Sequence, residues 1–232
     1  MAGAIDPMVS AIAAMVDRMT NNIGDHPVAR QLKAEAERLQ RGAEALDSVR
    51  RNRSPLDTKE AHTLKVAKAA RKYEAEIEAA RGRAHEIFGR GASEINGRIV
   101  EKVDLRPSAF AQEIRTAFRE LDSQGKVKLI NELVDGNRGP ELAAIVDAPS
   151  VLTGISDQQR AMYRQAIISK HAADEVDEQE KLSEVFFASL DTAKAATGLV
   201  RRLVDPGELA HIEHVDAQAK EASAAFNESL QQ

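Results

Sequence analysis

The feature that most constrains this fold is a pair of apolar stripes at helical spacing, separated by a short turn that contains proline. On the second arm, apolar residues recur at alternating intervals of four and three, the pattern of a helix packed along another helix: Val66, Ala70, Tyr73, Ile77, Ala80, Ala84 and Ile87. The first arm carries a shorter stripe of the same kind: Leu32, Ala36, Leu39, Ala43 and Leu46. Both stripes alternate large with small side chains, which lets two helices approach closely. The sequence therefore predicts a long, antiparallel, coiled-coil-like helical hairpin.

The proline in the turn limits where the two arms end and begin. Pro55 disfavours a helical conformation in the residue before it, so the first helix should end near Asn52. Two starts remain open for the second helix. Either Asp57 or Thr58 caps it, with Glu60 completing a capping box with Asp57, or Ser54 is the cap and Pro55 occupies the first helical position.

The second arm is long for a chain of this size. At 1.5 Å per residue, a helix from Leu56 to Gly89 would measure roughly 50 Å. The hairpin then either lies along the rest of the chain or projects to meet another subunit. For the second alternative, we predict an oligomer seam made by the larger apolar residues of this arm: Leu64, Tyr73, Ile77, Ile87 and Phe88.

Composition favours an all-α fold with a modest core. Of the 232 residues 43% are hydrophobic, but aromatic residues make up only 3% and tryptophan is absent. Alanine supplies much of the apolar content, so each helix buries little area per residue, which favours thin bundles and stability that depends on partners. No segment shows the period-two alternation of a strand.

The residue types that are missing exclude several classes of site. The chain has no cysteine, which excludes disulfides, thiol nucleophiles and cysteine-ligated metals and agrees with a reducing compartment. No stretch reaches the roughly 18 consecutive apolar residues that a membrane span requires. The apolar run at residues 8–15 is too short and lacks the basic leader of a secretory signal, so we expect a short amphipathic helix there.

We divide the chain into an N-terminal short helix or arm (1–27), the hairpin (28–106) and a helical body (107–232). Residues 1–106 carry 19 Lys and Arg against 16 Asp and Glu, a charge of +3, whereas residues 107–232 carry 13 against 21, a charge of −8. The acidic run at 174–180 lies in the body. Opposite charges on hairpin and body would attract one another between copies of the chain.

Glycines follow the hairpin. Gly89, Gly91 and Gly97 each cost about 1 kcal/mol in a helix interior relative to alanine, so a break or kink is predicted there. They do not form a phosphate-binding loop, because no strand precedes them and no Gly-Lys-Ser/Thr follows.

The body is predicted to form a small helical bundle followed by long C-terminal helices. Three short helices are predicted at 108–121, 126–134 and 140–146, bounded by Gly125, Gly136-Asn137 and Pro149. The densest apolar cluster, and therefore the predicted core, consists of Leu142, Ile145, Val146, Val151, Leu152 and Ile155.

Long helices are predicted at the C-terminal end of the body. Ser156 and Gln159 have capping-box spacing and should start a helix toward Val204, with or without an interruption near the acidic run. Pro206 should begin another, so that residues 182–232 form a second hairpin.

No catalytic, cofactor-binding or metal-binding residue is predicted. Glu208 and His211 have the Glu-x-x-His spacing of helical di-metal proteins, but the second such pair that these sites need is missing. With His214 they make at most a surface metal site, and a metal-dependent helical enzyme is our third hypothesis. A Gly-x-Ser-x-Gly motif is also absent, so we expect no enzymatic activity and no cofactor.

Three arginines, Arg50, Arg51 and Arg53, form a basic tip at the hairpin turn. They are the predicted phosphate contacts of our second hypothesis, a nucleic-acid-associated helical protein. Against it, Tyr73 is predicted to lie in the seam, where its ring could not stack on a base.

One segment resembles a known class of protein. Residues 129–136 (LINELVDG) and 140–157 (PELAAIVDAPSVLTGISD) are similar to a segment of small helical proteins encoded among the structural genes of tailed bacteriophages and prophages. The similarity covers about residues 108–170 and leaves the hairpin unmatched. It implies a virion-associated or assembly protein, without catalytic residues to transfer.

Our leading hypothesis is thus a non-catalytic, oligomeric, all-α structural protein, such as a head, tail, internal or ejection component of a phage virion, or a scaffold. Its partners would be further copies of itself or other virion proteins. It would reside in the cytoplasm of the producing cell and in the virion.

Overall fold

A computed structural model describes residues 4–22 and 26–229. Within these ranges the chain is all-α, as predicted, with no strand. The helices are α1 (Pro7–Asn22), α2 (Pro27–Arg51), α3 (Lys59–Val103), α4 (Ala111–Glu120), α5 (Ser123–Asp135), α6 (Gly139–Val146), α7 (Ser150–Thr153), α8 (Asp157–His171), α9 (Ala173–Leu203) and α10 (Pro206–Ser229).

The chain forms two compact units. Unit 1 comprises the residues up to Phe88 together with those from Ser183 onward, and unit 2 is Gly89–Leu182. Both boundaries lie inside helices, in α3 and α9. The division differs from the one that we placed at 106/107, because Ile95, Ile99 and Val103 in the last turns of α3 are buried within unit 2.

In unit 1, α2 and the first part of α3 pack in opposite directions. The Tyr73 hydroxyl donates to the Leu39 carbonyl (2.6 Å), and Arg83, ten residues further along α3, reaches back to Glu35 (2.9 Å). The core of the unit joins α1, α2, α3 and α9: Val9, Ile12, Leu39, Ala43, Leu46, Ala70, Tyr73, Ile77, Ala80, Ala193, Ala196, Leu199 and Val200. These contacts are those of an antiparallel helix pair, and coiled-coil geometry within it stays a prediction.

The hairpin turn uses one of the predicted caps. α2 ends at Arg51, and the Asn52 amide still donates to the Ser48 carbonyl (3.0 Å). α3 begins at Lys59, and the Thr58 hydroxyl accepts from the Ala61 amide (3.1 Å). Thr58 is therefore the cap, and the alternative start at Pro55 is wrong.

The predicted break at the glycines is also wrong, because α3 runs without interruption from Lys59 to Val103. A Cβ at Gly89 or Gly97 would meet no other atom within 4 Å, so no packing contact requires glycine there. Three glycines cost about 3 kcal/mol. The buried side chains of the following turns offset this, since each is worth about 1.5–3 kcal/mol.

Unit 2 is a bundle of short helices in which α4 packs on α6 and α7, and α5 packs on α6 and α8. Its largest fully buried side chains are Phe118, Ile130, Leu133, Leu142, Ile145 and Ile167, together with Ile95 from α3. Part of the predicted core is wrong: Val151 is 85% exposed and Leu152 39% exposed. Both belong to the single turn of α7, which buries Thr153 instead.

Two helix starts in this bundle illustrate how capping sets the boundaries. α5 begins at Ser123, before the predicted breaker Gly125, because the Asp122 carboxylate accepts from the Gly125 amide (2.7 Å). α8 has the predicted capping box between Ser156 and Gln159. It ends at His171, so the long helix that we expected is interrupted at Ala172 before α9 starts.

A tight junction links the end of α3 to the α5–α6 turn of unit 2. Asp104 (φ 42°) and Asn137 (φ 50°) adopt left-handed backbone conformations. The Asn137 side chain donates to the Lys102 carbonyl (2.9 Å). Gly139 lies so close that a Cβ there would be 1.6 Å from the Val103 carbonyl oxygen. Only glycine fits at this position.

Candidate interaction surfaces

The basic tip is organised around one buried carboxylate. Asp47 is fully buried, and it accepts from Arg50 Nε and Nη2 (3.0 and 2.7 Å) and from Arg51 Nε (2.8 Å). Burial raises the pKa of the Asp47 carboxyl, but the hydrogen bonds and charges of the two arginines outweigh it, and the pKa is lowered. We name this arrangement the Asp47 clamp. Two of the three predicted phosphate contacts therefore neutralise a carboxylate of the same helix.

Arg53, the third tip arginine, closes the turn. Its Nε and Nη2 donate to the Asp57 backbone carbonyl (3.0 and 2.7 Å), while the Asp57 carboxylate pairs with Lys65 (2.7 Å). In the first turns of α3, the His62 ring lies 3.0 Å from the Arg50 carbonyl and donates to it. The positive tip is thus tied into the hairpin, and nucleic-acid binding there stays a prediction.

Most residues of the predicted oligomer seam are buried within the chain itself. Tyr73, Ile77 and Ile87 are buried in unit 1, and burial raises the pKa of the Tyr73 hydroxyl. A Cβ on Gly42 would lie 2.4 Å from the Tyr73 ring, which shows how closely α2 approaches it. Only the half-buried Leu64 and Phe88 retain exposed apolar surface for a partner.

An aromatic cluster is centred on Phe186 and includes Phe88. The Phe186 ring stacks on Phe88 (centroids 4.3 Å apart, planes at 14°), His85 meets Phe186 edge-on at 5.1 Å, and Phe187 lies 5.6 Å from Phe186. Phe186 is buried, but Phe187 is 61% exposed. Three of the six phenylalanines of the chain meet in this cluster. Sequence reasoning selected Phe88 and missed Phe187, because nothing local shows that α9 brings an aromatic pair to the same place.

A groove lies between the start of α3 and the first half of α10, both in unit 1. It has a volume of about 360 Å³ and is lined by Thr58, Glu60, Ala61, Leu64, His211, Ile212, Val215 and Asp216. Its floor is apolar, and Val215 is 50% exposed. Elsewhere on the same helices, Arg71 pairs with Glu213 (2.7 Å), which holds α10 against α3.

The acidic run finds partners within unit 2. Glu175 accepts from Lys102 Nζ (2.8 Å), and Glu178 pairs with Arg98. The hydrogen bond from Lys102 lowers the pKa of the Glu175 carboxyl. These carboxylates are therefore bound to α3 of the same chain, which weakens the prediction that they pair with the hairpin of another copy.

The predicted surface metal site is not assembled by the side chains that are described. The Glu208 side chain lies outside them. His211 and His214 are exposed, and the His214 ring lies 3.1 Å from the Gln218 amide nitrogen. Across the described part of the chain, no three His, Asp or Glu side chains are placed to hold a metal ion.

Comparison of the chain with protein-family models, with curated proteins and with solved structures finds no match. The helices in the described ranges are too polar or too short in apolar length to cross a membrane. The case for function therefore depends on the surfaces described above.

Proposed function

We propose that this protein is a non-catalytic structural protein that assembles with copies of itself and with other proteins, as a component or scaffold of a phage virion. The observation that carries the proposal is Phe187, the exposed ring of the aromatic cluster. Aromatic residues are only 3% of the chain, and leaving one 61% exposed beside two stacked rings forgoes burial worth about 1.5–3 kcal/mol. A partner that covers Phe187 recovers that free energy.

The packing of the rings in the cluster suits a protein partner. Phe186 contacts the exposed Phe187 ring and is itself held by stacking on Phe88, so the exposed ring stands on a packed aromatic base. Rigid aromatic anchors of this kind contribute strongly to interfaces, since little side-chain entropy is lost when they bind. The virion part of the proposal rests on the resemblance of residues 108–170 to phage structural proteins. This resemblance is independent of the cluster, and the comparisons with known proteins did not reproduce it.

Size-exclusion chromatography with light scattering tests the assembly. We expect the wild-type protein to form oligomers at micromolar concentration and Phe187→Asp to dissociate them. Val151→Asp is the matched control, because it places the same charge at an exposed apolar site of unit 2. A wild-type protein that stays monomeric at all concentrations would refute self-assembly.

The virion assignment has its own test. Mass spectrometry of purified phage particles from the host that encodes this chain should detect it at a constant copy number. Particles that lack the chain would remove the virion component from the proposal and leave a scaffold that departs during assembly.

A further inference from the structure

The hairpin turn presents a leucine to solvent beside an apolar groove. Leu56 is 94% exposed, and it precedes the groove residue Thr58 by two positions. We propose that Leu56 of one copy inserts into the groove of a second copy and that the same contact forms in the reverse direction, so that the two hairpin tips make a two-fold dimer contact. The inference rests on the proposed function, because it names the partner and the surface of self-assembly.

The groove has the size and lining that an aliphatic side chain needs. Its volume of about 360 Å³ is in the range of small binding sites, and Leu64, Ile212 and Val215 supply apolar contacts. Leu56 is almost fully exposed and Val215 half exposed within one copy, so the contact would remove both from water. The conformation of the turn does not require a leucine at position 56, because the proline, the Thr58 cap and the Arg53 hydrogen bonds already fix it.

The position of the two parts favours a second copy of this chain as the occupant. A two-fold contact uses the same surface patch on both subunits, so the inserted residue and the receiving groove must be neighbours in each copy. Leu56 and the groove satisfy this requirement. Leu56 cannot be assigned to its own groove, because the 94% exposure shows that it lies outside it.

Charges around the contact are complementary. Arg53 is exposed on the tip and gives its hydrogen bonds to a backbone carbonyl. The groove rim carries Glu60, an exposed carboxylate whose pKa is lowered by backbone and Thr58 hydrogen bonds, and Asp216, which Lys220 already pairs at 2.5 Å. Within one copy the charge of Arg53 already contributes to lowering the pKa of Glu60, so the tip presents a positive and a negative group side by side. In the two-fold arrangement, each arginine would then face carboxylates of both copies.

The absence of cysteine makes a direct test available. A mixture of Leu56→Cys protein and Val215→Cys protein should form a disulfide-linked heterodimer under mild oxidation. A mixture of Val151→Cys and Val215→Cys proteins is the control, because residue 151 is also highly exposed (85%) but does not line the groove. A yield no higher than that of the control would overturn the proposal.

Dimer dissociation gives a second readout on proteins without added thiols. Two inserted leucines are lost together in the dimer, so Leu56→Asp should raise the dissociation constant roughly a hundredfold. The leucine is exposed, so circular dichroism should show an unchanged fold. Unchanged association of Leu56→Asp would exclude the tip contact while leaving assembly through Phe187 intact. A wild-type monomer at all concentrations would refute both proposals.

Discussion

Gly139→Ala tests the α3–α6 junction most directly. The added Cβ would lie 1.6 Å from the Val103 oxygen, 2.8 Å from the Val103 carbonyl carbon and 2.9 Å from the Asp104 oxygen. All three obstacles are backbone atoms, so no side-chain rotation relieves the clash. The α5–α6 turn has to move away from the end of α3.

The expected loss follows from two contributions. Overpacking costs about 1–3 kcal/mol, and a backbone obstacle places this case at the upper end. Displacing the turn also breaks the hydrogen bond from Asn137 to the Lys102 carbonyl, worth about 1 kcal/mol. We expect the free energy of unfolding to fall by about 3 kcal/mol or more, a large part of the 5–15 kcal/mol that holds a typical domain folded.

Urea unfolding followed by circular dichroism measures the loss by linear extrapolation. Gly89→Ala is the matched control: a Cβ there meets nothing within 4 Å, and alanine should stabilise the helix interior by about 1 kcal/mol. The two alanine substitutions should therefore act in opposite directions. A Gly139→Ala protein that loses less than about 1 kcal/mol would show that the junction is not as tight as described.

Substitutions at three further positions test other parts of the structure. Asp47→Asn removes the carboxylate of the Asp47 clamp and should lower the free energy of unfolding by about 2 kcal/mol at neutral pH. The folded-state pKa of Asp47 is below the unfolded value of 3.8, so the clamp stabilises the protein above pH 3.8 and this stabilisation is lost as pH falls through the folded-state pKa. The stabilities of wild type and variant should therefore converge in acid. If the difference between them is the same at every pH, the clamp is not ionised as described. Tyr73→Phe removes the donor to the Leu39 carbonyl and should cost about 1 kcal/mol by urea unfolding, with a neutral result contradicting the buried hydrogen bond. Ser156→Ala breaks the capping box of α8 and should cost about 1 kcal/mol, whereas Ser156→Asp, which can still accept the capping hydrogen bond, should not.

Features set by neighbouring residues could be predicted from the sequence. The 3.6-residue period gave the all-α fold, and the stripe from Val66 to Ile87 is buried as expected. The capping box at Ser156 and the helix start at Pro206 are also confirmed, because capping depends on residues within one turn. Glycine content alone gave the wrong prediction of a helix break at Gly89, because tertiary packing outweighs helix propensity there.

Features set by distant residues could not be predicted. The boundary of unit 2 depends on Val103 meeting Gly139, and the aromatic cluster depends on α9 returning Phe186 to Phe88. The candidate groove likewise combines the start of α3 with α10. The clamp is an instructive intermediate case. The spacing of Asp47 and Arg51 allows an ion pair within a helix, but only the burial of Asp47 shows that the pair shields a carboxylate rather than facing solvent.

The buried Tyr73 gives the hairpin an intrinsic optical reporter. The chain lacks tryptophan and contains two tyrosines, so tyrosinate absorbance in alkaline titration arises from Tyr73 and Tyr163 alone. Because burial raises the folded-state pKa of Tyr73, its contribution to stability is lost as pH rises above 10.0, the value for an exposed tyrosine. Deprotonation of this residue should therefore follow separation of α2 from α3, and a stopped-flow pH jump would record the rate at which the hairpin opens without any added dye or label.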